Sequence, residues 1–175
     1  IEQLEAAGKL DKTVICIMPD HYPYGLGKAW GLKNDGLAEL YGVDKYDLFQ
    51  RDKNTLILWS GCLEDMDPII VDTPTSSLDI LPTLSNLFGT EFDSRLMAGR
   101  DVFGDTPALV YNMSYDWKTE FGTYISSSNT FTPASEDLVI PEDYVEQIKA
   151  IVRNRIRYST TVLNYDYFGM LFGKK

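Results

Sequence analysis

Residues 12–18, KTVICIM, form a run of β-branched and apolar side chains closed by Pro19, and this run constrains the fold more than any other stretch. It is too short for a helix of ordinary length and is apolar at successive positions. It therefore reads as a strand buried on both faces, the kind found inside a mostly parallel sheet. Pro19 cannot donate to a ladder and ends the strand. The next residues are set at the strand's carboxyl end, the edge at which open α/β sheets bind ligands. There stand Asp20 and His21, and His21 is the only histidine in the chain.

The other segments fit a mixed α/β chain. Residues 1–7, IEQLEAA, read as a helix stopped by Gly8. Residues 22–54 are rich in glycine and polar residues and read as a long excursion with short helical pieces at GLAELYG and DKYDLFQ. TLILWSG, 55–61, is a second strand. From Ser77 the spacing of Leu78, Leu81, Leu84 and Phe88 is helical, with Ser77 as the cap, Asp79 in the first turn and Gly89 as a left-handed stop. ALVYNMS and FGTYISSS predict a hairpin across the polar loop YDWKTE, forming a small antiparallel accessory sheet. A final helix is expected from Pro141, with Tyr144, Val145, Ile148, Ile151, Val152 and Ile156 as its apolar stripe. Lys149, Arg153, Arg155 and Arg157 then read as a solvated basic face.

With 175 residues, of which 44% are hydrophobic and 13% aromatic, the chain is large enough for one domain and far from the composition of disorder. The net charge of −10 argues against nucleic acid as a partner, because that binding rests on lysine and arginine neutralising phosphates. No window reaches the length of a membrane span, and the first residues lack the build of a signal peptide. Cys16 and Cys62 lie in apolar surroundings and read as two buried thiols that do not reveal the redox compartment. The chain opens within a helix and without methionine, and so reads as an excised piece.

An aspartate and a neutral imidazole are both ligands for divalent ions, and adjacent residues converge on one ion only where the chain has left the regular strand. Pro19 provides that departure. A surface turn or a simple hydrogen-bonded pair would use the same dipeptide. A serine hydrolase triad fits less well, since no G-x-S-x-G elbow occurs and a triad does not place base and orienter side by side.

The order of PDHYPYG after KTVICIM, then TLILWSG, PTSSLDILPTLSNLFG, SRLMAGRDVF and ALVYNMSYDWKTEFGTYISSS, resembles the carboxyl-terminal part of the sulfatase-like domain of lipoteichoic acid synthase family proteins, within the alkaline phosphatase superfamily. The resemblance covers almost the whole chain, loosely through 22–54 and the last helix. It implies one incomplete domain over 1–175, with core strands and helices in 1–90 and accessory strands and the terminal helix in 91–175. It implies that Asp20 and His21 ligate a divalent metal, Mn before Zn or Mg. In that family a threonine nucleophile and a further acidic ligand lie upstream of this strand, so no catalytic nucleophile is assigned within this sequence, and the isolated chain is expected to be inactive. Tyr22, Tyr24, Lys28 and Trp30 follow the pair and are candidates for the substrate edge, Lys28 as a phosphate-suited cation and the rings as apolar contacts.

The activity implied is transfer of phosphoglycerol from a phosphatidylglycerol-type lipid to a cell-envelope polymer at the extracytoplasmic face of a bacterial membrane. Two alternatives stand beside it: a sulfate or phosphate ester hydrolase with the same metal architecture, and a non-catalytic interaction module. A fragment of a larger sheet is also expected to self-associate through exposed strand edges.

Overall fold

The computed structural model describes residues 1–27 and 35–173. The chain divides into two compact units, residues 1–69 and 70–175. Each contains helices and strands, so the mixed α and β composition read from the sequence holds.

In the first unit, helix α1 (Glu2–Ala6) is followed by Gly8 in the left-handed region at φ 62°, a conformation that glycine adopts without steric cost. Strand β1 (Val14–Ile17) leads to the 20–27 loop, helices α2 (Gly36–Tyr41) and α3 (Leu48–Arg51) come next, and strand β2 (Ile57–Ser60) closes the ribbon. Asp35 caps α2 by accepting from the Leu37 and Ala38 amides, and Asp47 caps α3 by accepting from Gln50. Leu37 is the one fully buried apolar side chain among the described residues of this unit.

The parallel core predicted around KTVICIM is not what forms. β1 and β2 pair antiparallel, with Val14 opposite Ser60 and Ile17 opposite Ile57, and make a two-stranded ribbon. A run of β-branched residues favours a strand but does not fix the direction of its partner. Burial on both faces would require covering layers, and β1 instead exposes Val14 and Ile17. For the same reason Cys16 is exposed; Cys62, in the 3-10 turn Gly61–Leu63 after β2, is exposed as well, so both thiols expected to be buried are free and exposed.

The second unit holds helix α4 (Ile80–Leu87), strands β3 (Val110–Tyr111), β4 (Trp117–Thr119), β5 (Gly122–Ile125) and β6 (Thr130–Pro133), and helices α5 (Tyr144–Asn164) and α6 (Tyr167–Phe172). The strands form an antiparallel meander in the order β3-β4-β5-β6. The accessory sheet is therefore antiparallel as expected, but the segment read as the loop YDWKTE supplies one of its inner strands. A sign of it is present: Trp117 and Thr119 are buried and alternate with half-buried Lys118, the period of a strand.

The core of this unit joins Trp117 and Tyr124 of the sheet to Val152 and Ile156 of α5. Trp117 is 0% exposed and its ring stacks on Tyr124 at 5.3 Å between centroids. Val152 and Ile156 stand four residues apart, one turn along a single helical face, and each buried aliphatic side chain contributes about 1.5–3 kcal/mol. Ile151, expected in the same stripe, is turned about 100° from Val152 by helical geometry and is exposed. Arg155 links this helix to the segment between α4 and β3 by donating to the Ala98 carbonyl at 3.1 Å.

The helical segment is capped one residue earlier than the sequence predicts, and its first turn is 3-10. Ser76, not Ser77, caps the 3-10 turn Ser77–Asp79 that runs into α4, and Asp79 completes a capping box by accepting from the Ser76 amide at 2.8 Å. The other carboxylate oxygen of Asp79 accepts from the Arg100 amide at 2.8 Å. Thr83 then donates to the Asp79 carbonyl at 2.6 Å and accepts from the Val102 amide at 3.1 Å. Together these bonds fasten the GRDV segment along the helix. Gly99 is required where the two segments touch, because a Cβ there would collide with the Leu78 carbonyl and come within 2.7 Å of the Asp79 nitrogen.

Candidate metal centre

β1 ends at Ile17, and Met18 and Pro19 carry the chain out of the ribbon before Asp20 and His21. The pair thus lies past the end of a strand, as the sequence predicts, although the strand is one of two and not central. A 3-10 turn, Tyr24–Leu26, bends the loop back. Gly36 at the start of α2 admits the Leu26 backbone so closely that a Cβ would stand 3.0 Å from the Leu26 carbonyl oxygen. The loop is held against α2 by this approach.

The two side chains converge. Asp20 Oδ1 lies 3.5 Å from His21 Nε2, with the Asp20 side chain 89% exposed and that of His21 45%. The other imidazole nitrogen, Nδ1, is 2.7 Å from the Tyr22 carbonyl oxygen. A carbonyl only accepts, so Nδ1 carries a proton and, in the neutral ring, Nε2 presents its lone pair. A lone pair on Nε2 then faces a carboxylate oxygen across 3.5 Å, which is favourable only with a proton or a cation between them. Two donors on a tetrahedral ion at about 2.1 Å each stand about 3.4 Å apart, so the spacing fits an ion. Donation by the second ring nitrogen to a backbone carbonyl is also the usual support for a metal-bound histidine.

Tyr24 fixes the plane of the imidazole by stacking on it at 4.0 Å and 13°. Tyr22 meets Tyr24 edge to face at 4.7 Å, and the Arg51 guanidinium lies 4.5 Å from the centre of the Tyr22 ring. Arg51 donates to both oxygens of Asp52, at 2.7 and 3.0 Å, and these bonds raise its pKa above the usual guanidinium value. Nearby, Tyr46 donates to Asp35 at 2.9 Å, which pushes the phenol pKa up, since ionising it would place two negative charges together.

Of the residues singled out in the sequence, Asp20, His21, Tyr22 and Tyr24 come together in one loop, while Lys28 and Trp30 lie outside the described residues. Arg51 is a member of this group that the sequence does not single out. It reaches Tyr22 from another element of the unit, and no spacing in the sequence signals the contact. Asp79 is a helix-start residue, as its position before a helical run predicts. Among the described residues, no group of three or more His, Cys, Asp or Glu side chains is placed to hold a metal ion, so this loop offers two protein donors. No protein-family model and no curated protein matches this chain.

Proposed function

We propose that this chain is the carboxyl-terminal part of a metal-dependent phosphoglycerol transferase of the lipoteichoic acid synthase type, with Asp20 and His21 as two of its metal ligands. The observation that carries the reading is the convergence of Asp20 Oδ1 and His21 Nε2 at 3.5 Å while Nδ1 is engaged by the Tyr22 carbonyl. A divalent ion bound there, Mn before Zn or Mg, supplies charge neutralisation at a phosphoryl oxygen and activation of a hydroxyl nucleophile. The nucleophile belongs to the upstream half that the resemblance implies.

Within this chain the Tyr22 carbonyl holds the proton on Nδ1, and Tyr24 keeps the ring from rotating. Arg51, paired with Asp52, packs on the Tyr22 ring and steadies the loop from the side. The substrates on this reading are a phosphatidylglycerol-type lipid and a cell-envelope polymer, met at the extracytoplasmic face of a bacterial membrane. No described helix is long and apolar enough to cross that membrane, so the anchor on this reading lies elsewhere in the parent protein. The free edges of the β1–β2 ribbon are where copies of the chain would associate.

A second reading has an observation behind it: two donors without a third among the described residues suit an interaction module that binds no metal. One experiment separates the two. His21 gives the only histidine signals in a proton–carbon NMR spectrum, and Mn2+ at low stoichiometry should broaden them selectively. Asp20→Asn should weaken that effect about tenfold or more. Unbroadened His21 signals, or an unchanged effect in the variant, would overturn the assignment.

A further inference from the structure

A cavity of about 240 Å³ in the second unit is lined by Tyr115, Tyr124, Ser126, Lys149 and Arg153. Lys149 and Arg153 are four residues apart on α5, so their cationic ends share one helical face, and like charges at that spacing repel. Lys149 donates to the Glu146 carboxylate at 2.7 Å and lies 5.5 Å from the Tyr124 ring centre. The Glu146 side chain is 74% exposed. Arg153 has no ion pair or hydrogen bond among the described residues. Tyr124, 4% exposed, forms the floor and is fixed by donating to Asn129 at 2.8 Å.

The opposite wall is built at a conformational cost. Tyr115 has φ 66°, the left-handed region that side chains other than glycine, asparagine and aspartate seldom adopt. Asn112 holds it there: its carbonyl accepts from the Tyr115 amide at 3.1 Å, and its side-chain oxygen accepts from Ser114 at 2.8 Å and Asp116 at 3.2 Å. Asp116 is buried and is not among the lining residues, its carboxylate accepting from the Ser126 amide at 2.7 Å and the Asn112 side chain at 3.2 Å. The Ser126 hydroxyl makes no hydrogen bond among the described residues. The cavity therefore collects two cations and two hydroxyl groups, Tyr115 and Ser126, with aromatic walls, in a protein whose net charge is −10.

We propose that this cavity binds the phosphate group of a small phosphate monoester, with Arg153 and Lys149 holding the oxygens and the Tyr115 and Tyr124 rings facing the organic part. A phosphate carries about two negative charges and three acceptor oxygens, matching two cations and two hydroxyl donors better than a carboxylate does. The room beyond the phosphate is bounded by the aromatic rings. Glu146 occupies Lys149 until a stronger anion replaces it. Asp20 and His21 take no part, so this site stands or falls independently of the metal reading.

The test is an NMR titration of amide signals in the whole chain with glycerol 3-phosphate, inorganic phosphate and acetate. Glycerol 3-phosphate should shift the Tyr115, Ser126 and Arg153 amides, with a dissociation constant on the order of 1 mM. Arg153→Gln should weaken binding about tenfold or more, the loss of one charged donor. Glu146→Gln should strengthen it several-fold. Both residues are exposed, so both variants should keep the wild-type spectrum elsewhere. The proposal is overturned if the three amides do not move, if acetate or inorganic phosphate binds as tightly as glycerol 3-phosphate, or if Arg153→Gln leaves the affinity unchanged.

Discussion

Replacing Asp79 by alanine removes the acceptor that joins the start of α4 to the Gly99–Val102 segment. The carboxylate is 4% exposed and receives two backbone amides, Ser76 and Arg100, each at 2.8 Å. A hydrogen bond to a charged group contributes about 1.5–3 kcal/mol, and a buried amide left without a partner costs about 1–3 kcal/mol. These are two descriptions of one loss and are not summed. Two bonds on this scale put the cost of Asp79→Ala at about 3–6 kcal/mol. Asparagine keeps one carbonyl acceptor and so should lose about half as much. Hydrogen exchange at the Arg100 amide and along α4, followed with added urea, reads the change directly. The alanine variant should exchange at least about a hundredfold faster at these amides. A change below about fivefold would show that Asp79 does not hold the two segments together, and would refute the reasoning.

Two further outcomes are expected. Gly99→Ala should destabilise the second unit by several kcal/mol, on the order of a severe overpacking substitution, because the new Cβ meets backbone and not a movable side chain. A melting temperature within a degree of wild type would contradict this close approach. Arg95 donates to Asp93 through both its side chain and its backbone amide, and these bonds lower the Asp93 pKa from 3.8 to about 2. Because the folded value is depressed, the stabilisation is fully present above about pH 4 and is lost as pH falls toward 2. Arg95→Gln should move the Asp93 carboxyl titration, followed by NMR, up toward the ordinary aspartate range, and an unmoved titration would count against the pair.

The elements that can be read in the sequence are those whose signal is local. Gly8 and Gly89 adopt left-handed φ of 62° and 61° where each is expected to stop a helix, and Val14–Ile17 and Ile57–Ser60 are strands. The rest depends on partners distant in sequence. The direction in which β2 meets β1 is not encoded in the apolar content of either run, and the exposure of Cys16 comes from that ribbon's lack of covering layers. β4 is hidden because three residues give a period-two pattern too brief to stand out from a polar loop. The candidate site divides in the same way. Asp20 and His21 are neighbours in the chain and need only a turn to converge. The Arg51 contact with Tyr22 and the stack of Tyr24 on His21 exist only in the folded loop.

The two sheets differ in how much chain must be closed to make them. In the meander every strand pairs with its immediate successor, and Thr119 faces Gly122 across a two-residue turn. In the ribbon the nearest pair is Ile17 with Ile57, so 40 positions of chain must be looped before the first rung forms. Closure entropy grows with the logarithm of loop length, and contacts between distant residues form late in folding. The meander is therefore set to form early and the ribbon late. Asp20 and His21 stand just beyond the Ile17–Ile57 end of that ribbon, on the segment that its closure turns into a loop. A ligand that binds the pair only while this loop is closed would slow the reopening of the ribbon.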